Sequence, residues 1–154
     1  MTDKKPELII CAVRGGAESR DTVSQAINLA LENDARLTFL HVMDAEFLQY
    51  ATIGPLSVVY NELVEMGNFA MMILRDRAQR RGVTEVDYVV REGDIHKQLL
   101  EFATATHGEL LVMGRPTRSP GRNVFEAEEL DTFTAELERT ANIRVIQVAP
   151  TGRK

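Results

Sequence analysis

Two stretches of the chain carry residue types that could hold a phosphate. Gly114 to Phe133 reads GRPTRSPGRNVFEAEELDTF, and Arg14 to Ser19 reads RGGAES. Free backbone N–H groups at the start of a helix attract anions, glycine lets the backbone approach closely, and arginine forks onto phosphate oxygens. Arg115, Arg118 and Arg122 supply such forks, but the same stretch ends in Glu126, Glu128, Glu129 and Asp131. One like charge at 4 Å costs about 4 kcal/mol at an effective dielectric near 20, roughly a thousandfold in affinity. With Asp131 as the N-cap of the last helix, its carboxylate takes the N–H bonds a phosphate would need. The arginines then pair with the carboxylates or face solvent, as charge runs usually do.

Other catalytic arrangements find no support. His41, His96 and His107 are the only histidines. The last two fall on one predicted helix about three turns apart, too far to share a metal ion. There is no Gly-x-Ser-x-Gly elbow, no His-Glu-x-x-His and no Walker loop. The single cysteine, Cys11, lies inside the apolar run LIICAV and is expected to be a small buried hydrophobe. No catalytic residue is assigned, and an enzyme is not expected.

Positioning these loops requires a framework, and strand and helix signals alternate along the chain. LIICAV (8–13), RLTFLHVM (36–43), VDYVVRE (86–92), LLVMG (110–114) and RVIQVA (144–149) read as strands. Between the first two, Val23, Ala26, Ile27 and Ala30 recur at helical spacing after Ser19. A long helix follows, with Val59, Leu63, Met66, Ala70 and Ile73 on one stripe until Gly82 stops it. Met66, Met71 and Met72 on it are expected to fill core gaps, the other reading being an adaptable partner surface. A third helix, opened by Gly93-Asp94 and ended by Gly108, places Ile95, Leu99, Phe102 and Ala103 on one face, and the last carries Leu130, Phe133 and Leu137. The segment 45–54, AEFLQYATIG, has no clear assignment.

Strict alternation implies βαβ units and hence a five-stranded, doubly wound parallel sheet with helices on both faces. Ligands of such sheets bind beyond the strand carboxyl ends where the strand order reverses. Here that crevice would lie between strands one and four, walled by 14–19 and 114–131. At 154 residues one domain, 1–154, is expected, with enough length to bury a full core. The net charge of -5 argues against nucleic acid and anionic membrane surfaces as partners. With no signal-like N-terminus and no membrane-length apolar run, the expected location is the cytoplasm.

The chain resembles the universal stress protein family. The resemblance rests on the apolar first strand, on LHVMD ending the second, on REGDIHKQLLEFATATHGELLVMGR (91–115), and on the apolar last strand. It implies the adenine nucleotide alpha hydrolase-like fold with strand order 3-2-1-4-5, a role in stress response, and a homodimer. An edge strand at 144–149 would offer that dimer its unpaired N–H and C=O groups. The family divides into members that bind ATP and members that do not, according to a loop of the form Gly, two residues, Gly, nine residues, Gly, then Ser or Thr. Gly114 matches the first glycine, Thr117 replaces the second, and after about four inserted residues Asp131-Thr132 stands at the last pair. Binding members also carry an aspartate after the first strand, where this chain has Arg14. The crevice positions implied are Val13, Arg14, Gly15, His41, Val42, Gly114, Thr117, Arg118, Asp131 and Thr132. The resemblance thus points to a cytoplasmic interaction protein, with no cofactor expected and ATP or AMP as the alternative; a transporter or enzyme is the client considered, which the resemblance does not itself supply. RGGAES also resembles the Ser-Gly-Gly-x-Asp-Ser loop of ATP pyrophosphatases through Gly15, Gly16 and Ser19, a weaker similarity that would imply an adenylating enzyme.

Overall fold

The computed structural model describes residues 7–13, 19–44, 56–114 and 127–148. Five strands, β1 (Leu8–Ala12), β2 (Arg36–Asp44), β3 (Val86–Gly93), β4 (Leu110–Gly114) and β5 (Arg144–Val148), form one sheet in the order β3-β2-β1-β4-β5. All four pairings are parallel. The helices are α1 (Ser19–Asn33), α2 (Leu56–Arg81), α3 (Ile95–Thr106) and α4 (Ala127–Thr140).

The centre of the sheet follows from the most apolar run. β1 lies between β2 and β4, with Ile9 opposite both Leu37 and Leu110. Successive strand side chains point to opposite faces, so β1 feeds two cores. Ile9 and Cys11 join Leu37, Phe39, Leu110 and Val112 beneath Val23, Ala26, Ile27 and Ala30 of α1 and Met71 and Ala78 of α2. Leu8 and Ile10 join Leu40, Leu111 and Met113 on the other face, under Ile95, Leu99, Phe102 and Ala103 of α3 and Phe133 and Leu137 of α4. With α1 and α2 on one side and α3 and α4 on the other, the winding reverses between β1 and β4.

Helix α3 opens where its sequence implies, but the residue that closes it is His107 and not the Gly108 read as its stop. Asp94 caps it by accepting from the Lys97 N–H at 3.0 Å, and His107 closes it in the left-handed conformation at φ 57°. Its four buried residues are the four expected from spacing.

Helix α2 departs from expectation. It stops at Arg81 before Gly82, whose φ of +116° suits glycine, but the stripe it buries is not the one the spacing suggested. Met66 is 63% exposed and Ile73 44%, and Ala70 is also exposed, whereas Met71 and Ala78 are buried with Leu74 packed beside them. Two apolar stripes compete on this helix. The one that meets the sheet holds Met71 and Ala78, with Gly67 facing the His41 ring. The side chains of Val59 and Leu63 lie outside the described residues. Of the methionines, Met71 fills the core, while Met66 and Met72 do not.

Candidate functional site

In a parallel sheet the carboxyl ends of β1, β2 and β4 open on one side, and the reversal between β1 and β4 marks a crevice there. Of the two walls read from the sequence, 14–19 and 114–131, the parts 14–18 and 115–126 lie outside the described residues, and with them Arg14, Gly15, Thr117 and Arg118. The remaining candidates can be placed.

Val13 and His41 meet. The Val13 N–H donates to the Leu40 carbonyl at 2.8 Å, and the Val13 carbonyl lies 2.9 Å from His41 Nδ1. A carbonyl only accepts, so Nδ1 carries the proton and Nε2 of a neutral ring is left as an acceptor. The half-buried ring lies beside α2, where a Cβ on Gly67 would be 3.5 Å from His41 Cδ2. Val13 is itself in the core at 5% exposure, so it offers a ligand backbone rather than side chain. Val42 points to the opposite face, against the core beneath α3 and α4.

Gly114 closes β4 and pairs in register with Val148. A Cβ on it would sit 3.1 Å from Thr22 Oγ1, and Thr22 is the one buried polar residue among those described, at 2% exposure. The packing of α1 against β4 therefore leaves little room for a side chain here. That crowding is a structural reason for the glycine, beside its match to the first glycine of a nucleotide loop. Thr22 was not singled out by sequence reasoning, and nothing in its neighbourhood, Asp21 and Val23, marks it as buried. Its carbonyl also accepts from Cys11 Sγ at 4.0 Å, and full burial pushes the Cys11 thiol pKa well up.

Asp131 is not the N-cap of the last helix. Helix α4 begins at Ala127, which makes Asp131 its fifth residue, and both Asp131 and Thr132 are exposed. Ala127, Glu128, Glu129 and Leu130 are good helix formers, so the helix extends a turn further back than the Asp-Thr pair suggested. The carboxylates consequently occupy the first turn and a half of α4, where they complement the positive end of the helix dipole instead of capping it. His96 and His107 stand at opposite ends of α3, with the His96 ring edge-on to Phe133 at 5.1 Å. Among the described residues no group of His, Cys, Asp or Glu is arranged to hold a metal ion. Among the same residues no helix is long and apolar enough to cross a membrane.

Comparison with known proteins agrees with this geometry. A universal stress protein of Methanocaldococcus jannaschii is 26% identical over 141 residues, covering 91% of this chain and 80% of its relative. The solved universal stress protein UspA from Lactobacillus plantarum superposes with a TM-score of 0.73 at 20% identity, covering 95% of this chain and 99% of its own. The universal stress protein from Archaeoglobus fulgidus, solved in complex with dAMP, superposes with a TM-score of 0.62 at 11% identity, covering 94% and 99%. The universal stress protein family model matches residues 7–148, and the chain belongs to that family.

Proposed function

We propose that this protein is a homodimeric regulatory member of its family that acts through protein contacts and binds adenine nucleotides weakly or not at all. The observation that carries this is the acidic opening of α4, whose first five residues are Ala127, Glu128, Glu129, Leu130 and Asp131. A nucleotide phosphate seated at that helix end would meet carboxylates. Solvent screens exposed charges, so each is worth much less than a contact at 4 Å, but the sign opposes a polyanion. Arg14 in place of an aspartate and Thr117 in place of a glycine point the same way.

The dimer is assigned to β5. It is an edge of the sheet, and Val145, Ile146 and Val148 are half-buried, which suits a strand that adds a second copy. The protein performs no catalysis in this reading, works in the cytoplasm during stress, and regulates a transporter or enzyme client. Calorimetry with millimolar ATP and Mg²⁺ tests the nucleotide part, and a micromolar dissociation constant would overturn it. Light scattering that shows a monomer would remove the dimer.

A second reading is favoured by the dAMP bound to the Archaeoglobus fulgidus relative. A nucleoside monophosphate brings fewer charges toward α4 than ATP does, so the crevice would take AMP or dAMP before ATP. Excess absorbance at 260 nm in the purified protein would support it, since the chain has no tryptophan to mask the signal.

A further inference from the structure

Helix α2 carries an apolar stripe on the side turned away from the sheet. Met66 is 63% exposed, Phe69 61% and Ile73 44%, with Met72 at 42% beside them. Met66, Phe69 and Ile73 follow the four-three spacing of a seam between helices. The buried residues Met71 and Ala78 occupy the other side.

We infer that this face is a self-association surface on which α2 of a second copy packs antiparallel. The charges along the helix argue for that occupant. Exposed Glu62 and Glu65 precede the stripe, and exposed Arg77 and Arg80 follow it. An antiparallel copy whose two-fold axis passes near Phe69 and Ala70 sets Met66 against Ile73 and Glu62 against Arg77 of its mate. A parallel copy would set like charges together. Asp76 sits at the basic end but is bridged to Arg80 at 2.8 Å. That exposed pair is easily shared with a second carboxylate.

Among the chain's own undescribed segments, 45–55 and the two terminal stretches are poorer occupants. Residues 45–55 are tethered at both ends, so a path out and back reaches roughly 18 Å, while Ile73 lies about 25 Å along the helix from Leu56. The terminal stretches MTDKKP and APTGRK offer almost no apolar surface. A stripe of this size gives less than the ~800 Å² per partner of a standard interface, so the association is concentration-dependent in the micromolar range.

This surface lies over β2 and β3, at the opposite end of the sheet from β5, and does not rest on the proposed β5 dimer. Sedimentation velocity of the full chain and of Phe69→Glu across micromolar concentrations separates the two. A tetramer or larger species that falls to a dimer supports both contacts. A dimer that falls to a monomer supports the α2 contact and removes the β5 one. Equal masses for the two proteins at every concentration overturn the α2 contact. Charge reversal tests the register while leaving the stripe intact, should Phe69→Glu unfold. Glu62→Arg is expected to weaken association about fivefold through its two symmetry-related pairs, and adding Arg77→Glu to restore it. Failure of the double variant to recover overturns the antiparallel arrangement.

Discussion

Replacing Gly114 by alanine separates two reasons for a glycine at that position. Its backbone φ is not in the left-handed region, so alanine is allowed by conformation, and in a strand it should gain about 0.5–1 kcal/mol by restricting the unfolded chain. Against that stands a Cβ 3.1 Å from Thr22 Oγ1, with Thr22 only 2% exposed and unable to swing into solvent. Overpacking of this kind costs about 1–3 kcal/mol. The overlap is a few tenths of an ångström, so the low end applies, about 1.5 kcal/mol. Gly114→Ala alone should therefore destabilise by roughly 0.5–1 kcal/mol, a fall in Tm of about 1–4 °C for a chain of this length. Thr22→Ala removes the obstructing oxygen. In that background Gly114→Ala should stabilise by about 0.5 kcal/mol, and the sign change is the signature of a direct contact. Urea unfolding followed by far-UV circular dichroism measures all four corners of the cycle. Equal effects of Gly114→Ala in both backgrounds would refute the argument, and the glycine would then have to be explained by close approach of a ligand.

Other expectations rest on single features. The Cys11 thiol is held protonated by burial, so the folded state keeps a proton that the unfolded thiol, with an ordinary pKa near 8.5, gives up. Stability due to it is complete below that value and falls as pH rises beyond it, by about 1.4 kcal/mol per pH unit. Denaturant titrations between pH 8 and 10 should show this extra slope in the wild type and not in Cys11→Ala. Asp94→Ala removes the side-chain cap of α3 and should cost about 1 kcal/mol, read as a shift in urea midpoint without a change in slope. Gly108→Ala would place a Cβ 2.5 Å from Ile10 Cδ1 and 3.4 Å from Ile143 Cδ1, so it should destabilise by about 2 kcal/mol, and Ile10→Val should recover part of the loss. Neutralising α4 with Glu128→Gln, Glu129→Gln and Asp131→Asn should raise ATP affinity by about tenfold or more if screened repulsion is what weakens it; no change in calorimetric titrations would remove the charge argument.

The sheet was legible because its signals are local and redundant. LIICA is too short for a helix and too apolar for a surface, and the alternation of such runs with helical spacing leaves few topologies once crossovers are right-handed. Helix α3 was read to its individual buried residues because Asp94 marks its start and only one face is apolar, whereas its stop was read at Gly108 and the left-handed turn is taken by His107. Helix α2 has two apolar faces, and periodicity cannot say which of them meets the sheet. The choice depends on which face fits the sheet, where Met71 and Ala78 enter the core, a three-dimensional property with no one-dimensional signal. The start of α4 was misplaced for a related reason: aspartate followed by threonine looks like a cap, yet the four residues before it propagate a helix well and extend the element past that signal. Val13 and His41 were placed in one crevice only through the resemblance, and their contact, which spans 28 residues of sequence, was not read at all.

Moving the start of α4 changes how an anion would be excluded. A capping aspartate blocks a phosphate by occupying its N–H donors, an effect that salt does not weaken and that Asp131→Asn would largely preserve, because asparagine also caps. Carboxylates carried along the first turn and a half, none of them the cap, act through the field, which falls off over a Debye length of about 10 Å at 0.1 M salt. The two cases diverge in nucleotide titrations at rising ionic strength. With α4 beginning at Ala127 and Asp131 exposed, affinity for ATP should rise as salt increases from low values, and the rise should shrink in the triply neutralised variant. Arginine forks such as Arg115, Arg118 and Arg122 would give the reverse, since phosphate contacts by cations weaken with salt. Affinity that falls with salt in both proteins would mean that the arginines, and not the carboxylates, govern this end of the crevice.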